Sequence, residues 1–313
     1  MVHLCDRECH RMSNLEKRLF LTGASGLLGR ALFKKFTENG WEVMGVAFSR
    51  ASPPLVKLDL KDSAEVQKAF ADFSPSLVIH SAAMRYPDQV EKNAEEAVRM
   101  NVKTTEQIAD IADKVGVPML YISTDYVFDG KNPPYKPDDP TNPTNLYGKT
   151  KLEGEIKTLK TNEENMVLRI PVLYGPVEKL EESAVTTLLE PLMDVSKPCN
   201  MSNYERRYPA HTQDIAEICL LLAEKKCKGP TFNGVFQWSG KEALTKYEMV
   251  LRMASVFGLP HEHVKPINGP GSGGATRPYD TQLDSTSLVE VLGMTPPHTP
   301  FNEGIKACIQ TWV

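Results

Sequence analysis

The run Leu19-Phe-Leu-Thr-Gly-Ala-Ser-Gly-Leu-Leu-Gly29 constrains this chain more than any other stretch. Leu19 to Leu21 has the length and apolar character of a buried strand. It ends at Thr22-Gly23, and Gly26 and Gly29 then open an amphipathic stretch from Leu27 to Phe36. Strand, glycine turn and helix in that order place a dinucleotide pyrophosphate on a helix N-terminus. There the free N–H groups and the helix dipole both favour negative charge. Gly23 allows the tight turn, Gly26 the close approach of phosphate, and Gly29 the packing of helix on strand. The spacing is G-x-x-G-x-x-G rather than G-x-G-x-x-G, and glycines also mark ordinary turns, so the rest of the chain has to supply the context.

Trp41 to Ala47 is a second strand, ending at Phe48-Ser49-Arg50. A carboxylate here would bond a free ribose 2′-hydroxyl. The sequence offers Arg50 and no acid, which favours NADP over NAD; the plain alternative is a solvated loop arginine. Lys57 to Leu60 forms a short strand leading into a helix from Ser63 to Phe73. Asp59 is placed to meet the adenine amino group, and Asp62 or Ser63 to cap the helix. Leu77 to Ala83 is the next buried strand, with small residues where a cofactor crosses the sheet edge; His80, inside the apolar run, is a core histidine. Residues 93–115 carry helical periodicity until Gly116 and Pro118 stop it. Met119 to Thr124 is another strand, emptying into Asp125-Tyr-Val-Phe-Asp-Gly130 and an exposed, proline-rich loop to Pro143. A helix from Asn145 to Thr158 and a strand from Met166 to Ile170 follow.

Strands alternating with helices predict an α/β protein with a Rossmann-type, doubly wound parallel sheet over residues 18–170. Beyond Pro171 the pattern loosens, with helices near Ser183–Met193, Gln213–Glu224 and Thr245–Phe257 and a short closing helix, Asn302–Thr311. Strands are expected near Tyr208–Pro209, Val235–Trp238 and Val264–Pro266. These pieces predict a smaller, mixed C-terminal lobe, 171–313, packed over the first domain.

With 41% hydrophobic and 24% charged residues the composition is that of a soluble globular protein, and the net charge of −4 gives no general attraction to nucleic acid or an anionic membrane. Residues 1–17 mix both charge signs and lack an apolar core, so a mobile arm is expected rather than a signal peptide. No apolar run approaches the ~20 residues of a membrane span. Six cysteines lie scattered, and Cys5, Cys9 and His10 have no second pair with which to hold zinc, so no metal site is expected. A cytoplasmic or nuclear protein is expected.

Tyr147 and Lys151 stand four apart, on one face of a helix. A free phenol titrates near ~10, and a neighbouring ammonium is expected to bring that value towards neutrality. Thr124, at the end of the preceding strand, can bond a substrate carbonyl oxygen while Tyr147 passes it a proton and NADPH delivers hydride. The run Glu178-Lys-Leu-Glu-Glu182 is expected to form a solvated face.

With the turn Thr22–Gly29 and the pair Tyr147 and Lys151, the chain resembles the extended short-chain dehydrogenase/reductases. Ser123-Thr-Asp-Tyr-Val-Phe-Asp-Gly130 and Arg277-Pro-Tyr-Asp-Thr-Gln-Leu-Asp284 are similar to dTDP-4-dehydrorhamnose reductases. Leu168 to Thr186, Phe236 to Gly240 and Thr245 to Met249 resemble a branch of that family, the regulatory beta subunits of methionine adenosyltransferase. That resemblance implies an NADP-binding protein that binds the methionine adenosyltransferase catalytic subunit and modulates it. Val172, where the sugar reductases carry Trp, and Glu205 to Ala210, where they carry Gln-x-Gly-x-Pro-Thr, favour the regulatory branch; the retained Thr124, Tyr147 and Lys151 favour a reductase. Some beta subunits dock their partner through a longer C-terminal tail, so Trp312-Val313 leaves that route of contact in question. The resemblance further implies cofactor contacts at Ser25, Gly26, Leu27 and Leu28 through backbone amides. Phe48, Ser49 and Arg50 would hold the adenosine, with Asp59 and Leu60 beside the adenine. Ser81 and Arg85 would follow the next strand, Tyr147 and Lys151 would reach the nicotinamide ribose, and Leu173 would border the nicotinamide.

Overall fold

The computed structural model describes residues 17–228, 232–271 and 273–313; Cys5, Cys9, His10 and all but the last residue of the expected arm lie outside them. The first half of the chain runs β1 (Arg18–Thr22), α1 (Leu27–Glu38), β2 (Glu42–Ala47), β3 (Val56–Lys57), α2 (Ser63–Phe73), β4 (Leu77–His80), α3 (Pro87–Lys92), α4 (Ala94–Val98), α5 (Thr104–Lys114), β5 (Met119–Thr124), α6 (Leu146–Thr161) and β6 (Met166–Ile170). The second half runs β7 (Leu173–Tyr174), α7 (Leu189–Met193), β8 (Cys199–Ser202), β9 (Ala210–His211), α8 (Thr212–Lys228), β10 (Gly234–Gln237), α9 (Lys246–Phe257), β11 (Val264–Ile267), α10 (Thr286–Leu292) and α11 (Phe301–Ile309).

Leu19, Phe20, Leu21 and Thr22 are all buried, and a strand covered on both faces belongs inside a parallel sheet. Seven parallel strands form that sheet in the order β10-β6-β5-β4-β1-β2-β3. The chain winds outward from β1 through β2 to β3, then crosses back and winds the other way from β4. The reversal leaves a crevice at the carboxyl ends of β1 and β4, the place where doubly wound sheets bind ligands.

Local chemistry fixes the helices that frame this crevice. Asp62 caps α2 by accepting from the Ala64 and Glu65 amides at 2.9 and 3.1 Å, as expected. Asn145 caps α6 by accepting from the Gly148 amide. The periodic stretch 93–115 is not one helix: a π-helical turn, Arg99–Lys103, separates α4 from α5. Within it Asn101 turns its buried amide to the Met84 backbone, accepting from the nitrogen at 2.8 Å and donating to the oxygen at 3.0 Å. The helix expected near Ser183–Met193 is reduced to one 3₁₀ turn, Thr186–Leu188, and α7, because the Ser183 hydroxyl donates to the Leu173 carbonyl and pins the start of the segment to β7.

The chain crosses the division drawn at 170/171. β10 pairs in register with β6, and α8 buries Ile215, Ile218, Cys219 and Leu222 in the core shared with α1. The smaller lobe keeps its own core, where Tyr174, Leu189, Leu192, Met253, Phe301 and Ile305 pack beneath α9 and α11. Two-stranded sheets, β8–β11 and β7–β9, complete it. No helix among the described residues is long and apolar enough to cross a membrane.

Candidate functional site

A cavity of 420 Å³ occupies the crevice. Its floor is the glycine turn, and two glycines are obligatory there. Gly23 has φ 68°, and a side chain would put its Cβ 2.9 Å from the Ala82 backbone nitrogen. A Cβ at Gly29 would run into the Gly23 carbonyl oxygen, so α1 packs on the turn only without one. Gly26 caps α1 with no side-chain hydrogen bond. The first amides of the helix therefore face the cavity with positive ends and room for a phosphate, a donor set that suits a pyrophosphate.

The cavity gathers Gly23, Ser25, Gly26, Leu27, Leu28, Gly29, Ser49, Arg50, Ser81, Arg85, Thr124, Tyr147, Lys151 and Leu173. It leaves out three residues that the sequence reading put beside the adenosine. Phe48 is 56% exposed. Asp59 accepts from the Lys61 amide at 3.0 Å, closing its own turn. Leu60 is buried and its carbonyl accepts from the Gln107 amide group at 3.0 Å.

At the β2 end the electrostatics differ from the expectation. Arg50 is not a free cation: it pairs with Glu182 and, at 3.4 Å, with Glu178. Arg30 donates to Glu182 at 2.7 Å and lies 3.6 Å from Glu178. Glu182, read from the sequence as part of a solvated face, is buried. Burial works to raise its carboxyl, but hydrogen bonds from Arg30, the Glu178 amide and Arg50 outweigh it and hold the group down at about 2. Its run of charges is a strap whose inner carboxylate grips two arginines from distant parts of the chain.

At the β5 end burial dominates. Tyr147 and Lys151 share a face of α6, yet the ammonium does not serve the phenol. Lys151 Nζ donates to the Ile122 carbonyl at 2.7 Å and sits 4.0 Å from the centre of the Tyr121 ring. Burial lowers the lysine to about 7, against the raising influence of Glu155. Burial likewise pushes the Tyr147 phenol up to about 12, and its hydrogen-bond partner Thr124 only partly offsets this. The expected shift towards neutrality is thus reversed, because losing water costs the phenolate more than its neighbours return. His80 is, as expected, a core histidine: it lies between the Thr22 and Thr105 hydroxyls at 2.7 and 3.0 Å, and burial and then Lys151 lower it to about 3.

Sequence reasoning passed over several residues that shape the site. Asn101 ties the loop after β4 to α6 by donating to Thr150 at 3.1 Å, and so positions Arg85 and Tyr86; a poor helix former within a helical period was the available signal. Asp125 lines the cavity, accepts from Thr124 at 3.1 Å and from Thr281, and is raised by burial. Val172, which the sequence reading did single out, lines the cavity. Residues 205–210, by contrast, are tied through the backbone to other loops of the smaller lobe: Arg206 forms a β-bridge with Asp280, and Arg207 one with Leu244. Among the described residues no group of His, Cys, Asp or Glu is placed to hold a metal ion.

A family profile described as "RmlD substrate binding domain" matches residues 17–313. The "Methionine adenosyltransferase 2 subunit beta" of Xenopus tropicalis is 47% identical over 93% of this chain and 86% of its own length. A dTDP-4-dehydrorhamnose reductase from Clostridium acetobutylicum has the same fold, with a TM-score of 0.80 and 26% identity over 94% of this chain and 99% of its own. The dTDP-4-dehydrorhamnose reductase from Bacillus anthracis, solved in complex with NADP, superposes with a TM-score of 0.80 at 22% identity, over 95% of this chain and 99% of its own.

Proposed function

The chain belongs to the RmlD substrate-binding family, and from that premise we propose that it is a non-catalytic, NADP-binding regulatory subunit of methionine adenosyltransferase, which binds the catalytic subunit and modulates its kinetics for methionine. The observation that carries this reading is the 47% identity to a protein named as that beta subunit, spread over 93% of the chain. The chemistry of the β5 end points the same way. The Lys151 ammonium donates to the Ile122 carbonyl and burial holds the Tyr147 phenol in its neutral form, an arrangement suited to hydrogen-bonding a held dinucleotide.

NADP fits the donor set of the cavity. The helix-start amides of Leu27 and Leu28 suit its pyrophosphate, Ser49 and Arg50 its 2′-phosphate, and Tyr147 with Lys151 the hydroxyls of its nicotinamide ribose. When bound, a nicotinamide cofactor supplies hydride chemistry. In the regulatory reading these residues only hold it, and the loaded cavity braces the fold. Regulation then acts by contact, and its size is capped by the difference in affinity for two states of the partner.

The experiment is the methionine affinity of the catalytic subunit with and without this protein, together with recovery of the complex in a pull-down. A changed affinity and a recovered complex are expected. By reciprocity, methionine changes the partner's affinity for this chain by the same factor. No complex at micromolar concentrations with NADP present overturns the reading. A second reading, an NADPH-dependent 4-keto sugar nucleotide reductase, has Thr124, Tyr147 and Lys151 gathered in one cavity in its favour. Turnover of such a substrate, abolished by Tyr147→Phe, would establish it instead.

A further inference from the structure

The strap over the β2 end holds two carboxylates of opposite character. Glu182 keeps only 9% of its side chain exposed, and Arg30, Arg50 and the Glu178 amide all donate to it. Glu178 leaves 58% of its side chain exposed, and reaches the same two guanidiniums only at 3.4 and 3.6 Å. A second cavity, of 450 Å³, shares Ser25 and Arg50 with the first and adds Arg30, Phe33 and Glu178 to its wall. The strap backbone is anchored on both sides, since Arg30 donates to the Pro176 carbonyl at 3.3 Å and the Tyr86 hydroxyl to the Glu181 carbonyl at 2.9 Å.

Two arginines facing two glutamates leave this corner without net charge. A ribose with a free 2′-hydroxyl is indifferent to that balance. A 2′-phosphate brings about −1.5 to −2 charges and has no cation left to meet. One carboxylate has to give way, and burial decides which. Removing Glu182 would strand two guanidiniums, one of them mostly shielded, whereas Glu178 needs only a side-chain rotation into water.

We propose that Glu178 is a displaceable counter-ion standing in the place of the cofactor's 2′-phosphate between Arg30 and Arg50, and that it sets how strongly the protein prefers NADP to NAD. Glu182 is the fixed clamp that keeps both guanidiniums aimed at that place. The inference rests on the dinucleotide reading of the cavity given above, and it adds Arg30 to the groups that receive the 2′-phosphate.

Calorimetric titration of Glu178→Gln with NADP and with NAD tests it. The substitution is on an exposed side chain and removes the charge while keeping the shape. NADP is expected to bind roughly three- to tenfold tighter than to the parent protein, with NAD unchanged. In an Arg50→Ala background the gain is expected to shrink, because the counter-ion acts on that guanidinium. An unchanged ratio of NADP to NAD affinity, or an equal gain for both, overturns the role of Glu178 while leaving the dinucleotide site intact. Failure of the parent protein to bind either dinucleotide overturns the site itself.

Discussion

The two ends of the cavity carry similar groups under opposite rules. At the β2 end ionised groups meet at the protein surface, and partners set their behaviour: Glu182 is held down at about 2 by hydrogen bonds that outweigh its burial. At the β5 end burial sets the behaviour: Lys151 is lowered to about 7 and Tyr147 raised to about 12, each towards its neutral form. One buried charge pair survives there because its geometry is complete. Arg169 donates to Glu155 through both Nε and Nη2, at 3.0 and 2.8 Å, and the Ser123 hydroxyl donates to the same carboxylate. The contrast teaches that a charge motif in the sequence has no fixed meaning until its solvent is known. Arg50 and Lys151 both line one cavity, yet the first meets two carboxylates while burial lowers the second towards its neutral form.

The sharpest break of the comparison is at the buried pair. Glu155→Leu leaves the Arg169 guanidinium, 4% exposed, without its carboxylate, and a loss of ~3–5 kcal/mol in unfolding free energy is expected from denaturant melts. Adding Arg169→Met should restore most of it. Glu178→Gln, at the exposed end, should stay within ~0.5 kcal/mol of the parent protein.

The next test uses pH. Lys151 is a base whose folded value, about 7, lies below its unfolded value of 10.5, so between them the unfolded chain binds the extra proton. Stability of the ligand-free protein should therefore rise from pH 7 to pH 10, by ~2–4 kcal/mol from this group, and Lys151→Met should flatten the rise. The same sign holds for His80 between pH 6.5 and about 3, where stability falls as acid protonates the unfolded imidazole first. A profile unaffected by Lys151→Met would show that the ammonium is solvated after all.

Arg50→Ala addresses the β2 end directly. It should narrow the gap between NADP and NAD affinity by roughly ten- to a hundredfold, the ~1.5–3 kcal/mol of a charged hydrogen bond to phosphate. Equal affinity for both cofactors in the parent protein would remove the basis for NADP preference. The smallest effect belongs to Tyr147→Phe. It gives up one hydrogen bond, ~1 kcal/mol, so cofactor retention should weaken modestly while regulation of the partner persists. Complete loss of cofactor binding would make the phenol a far larger contributor than this environment allows.

What the sequence determined by itself was local and periodic. The apolar run before Gly23, the glycines at 26 and 29, the Asp62 cap of α2 and the placing of Tyr147 and Lys151 on one helical face all follow from chain neighbours. Backbone sterics and a 3.6-residue repeat fix them before anything packs. The position of His80 inside an apolar strand was legible for the same reason. Tertiary structure alone decided which charges would be dry and which paired. Glu182 looked like one member of a solvated run because its partner Arg30 is far away in sequence and its contact with Arg50 forms only when the strap closes over the crevice. Lys151 looked like a partner for Tyr147, but its ammonium turns to Ile122 on β5. The strand β10 looked like part of a separate lobe, since nothing nearby announces its pairing with β6. Solvation and long-range pairing depend on what the fold brings near a group, and sequence spacing does not carry that information.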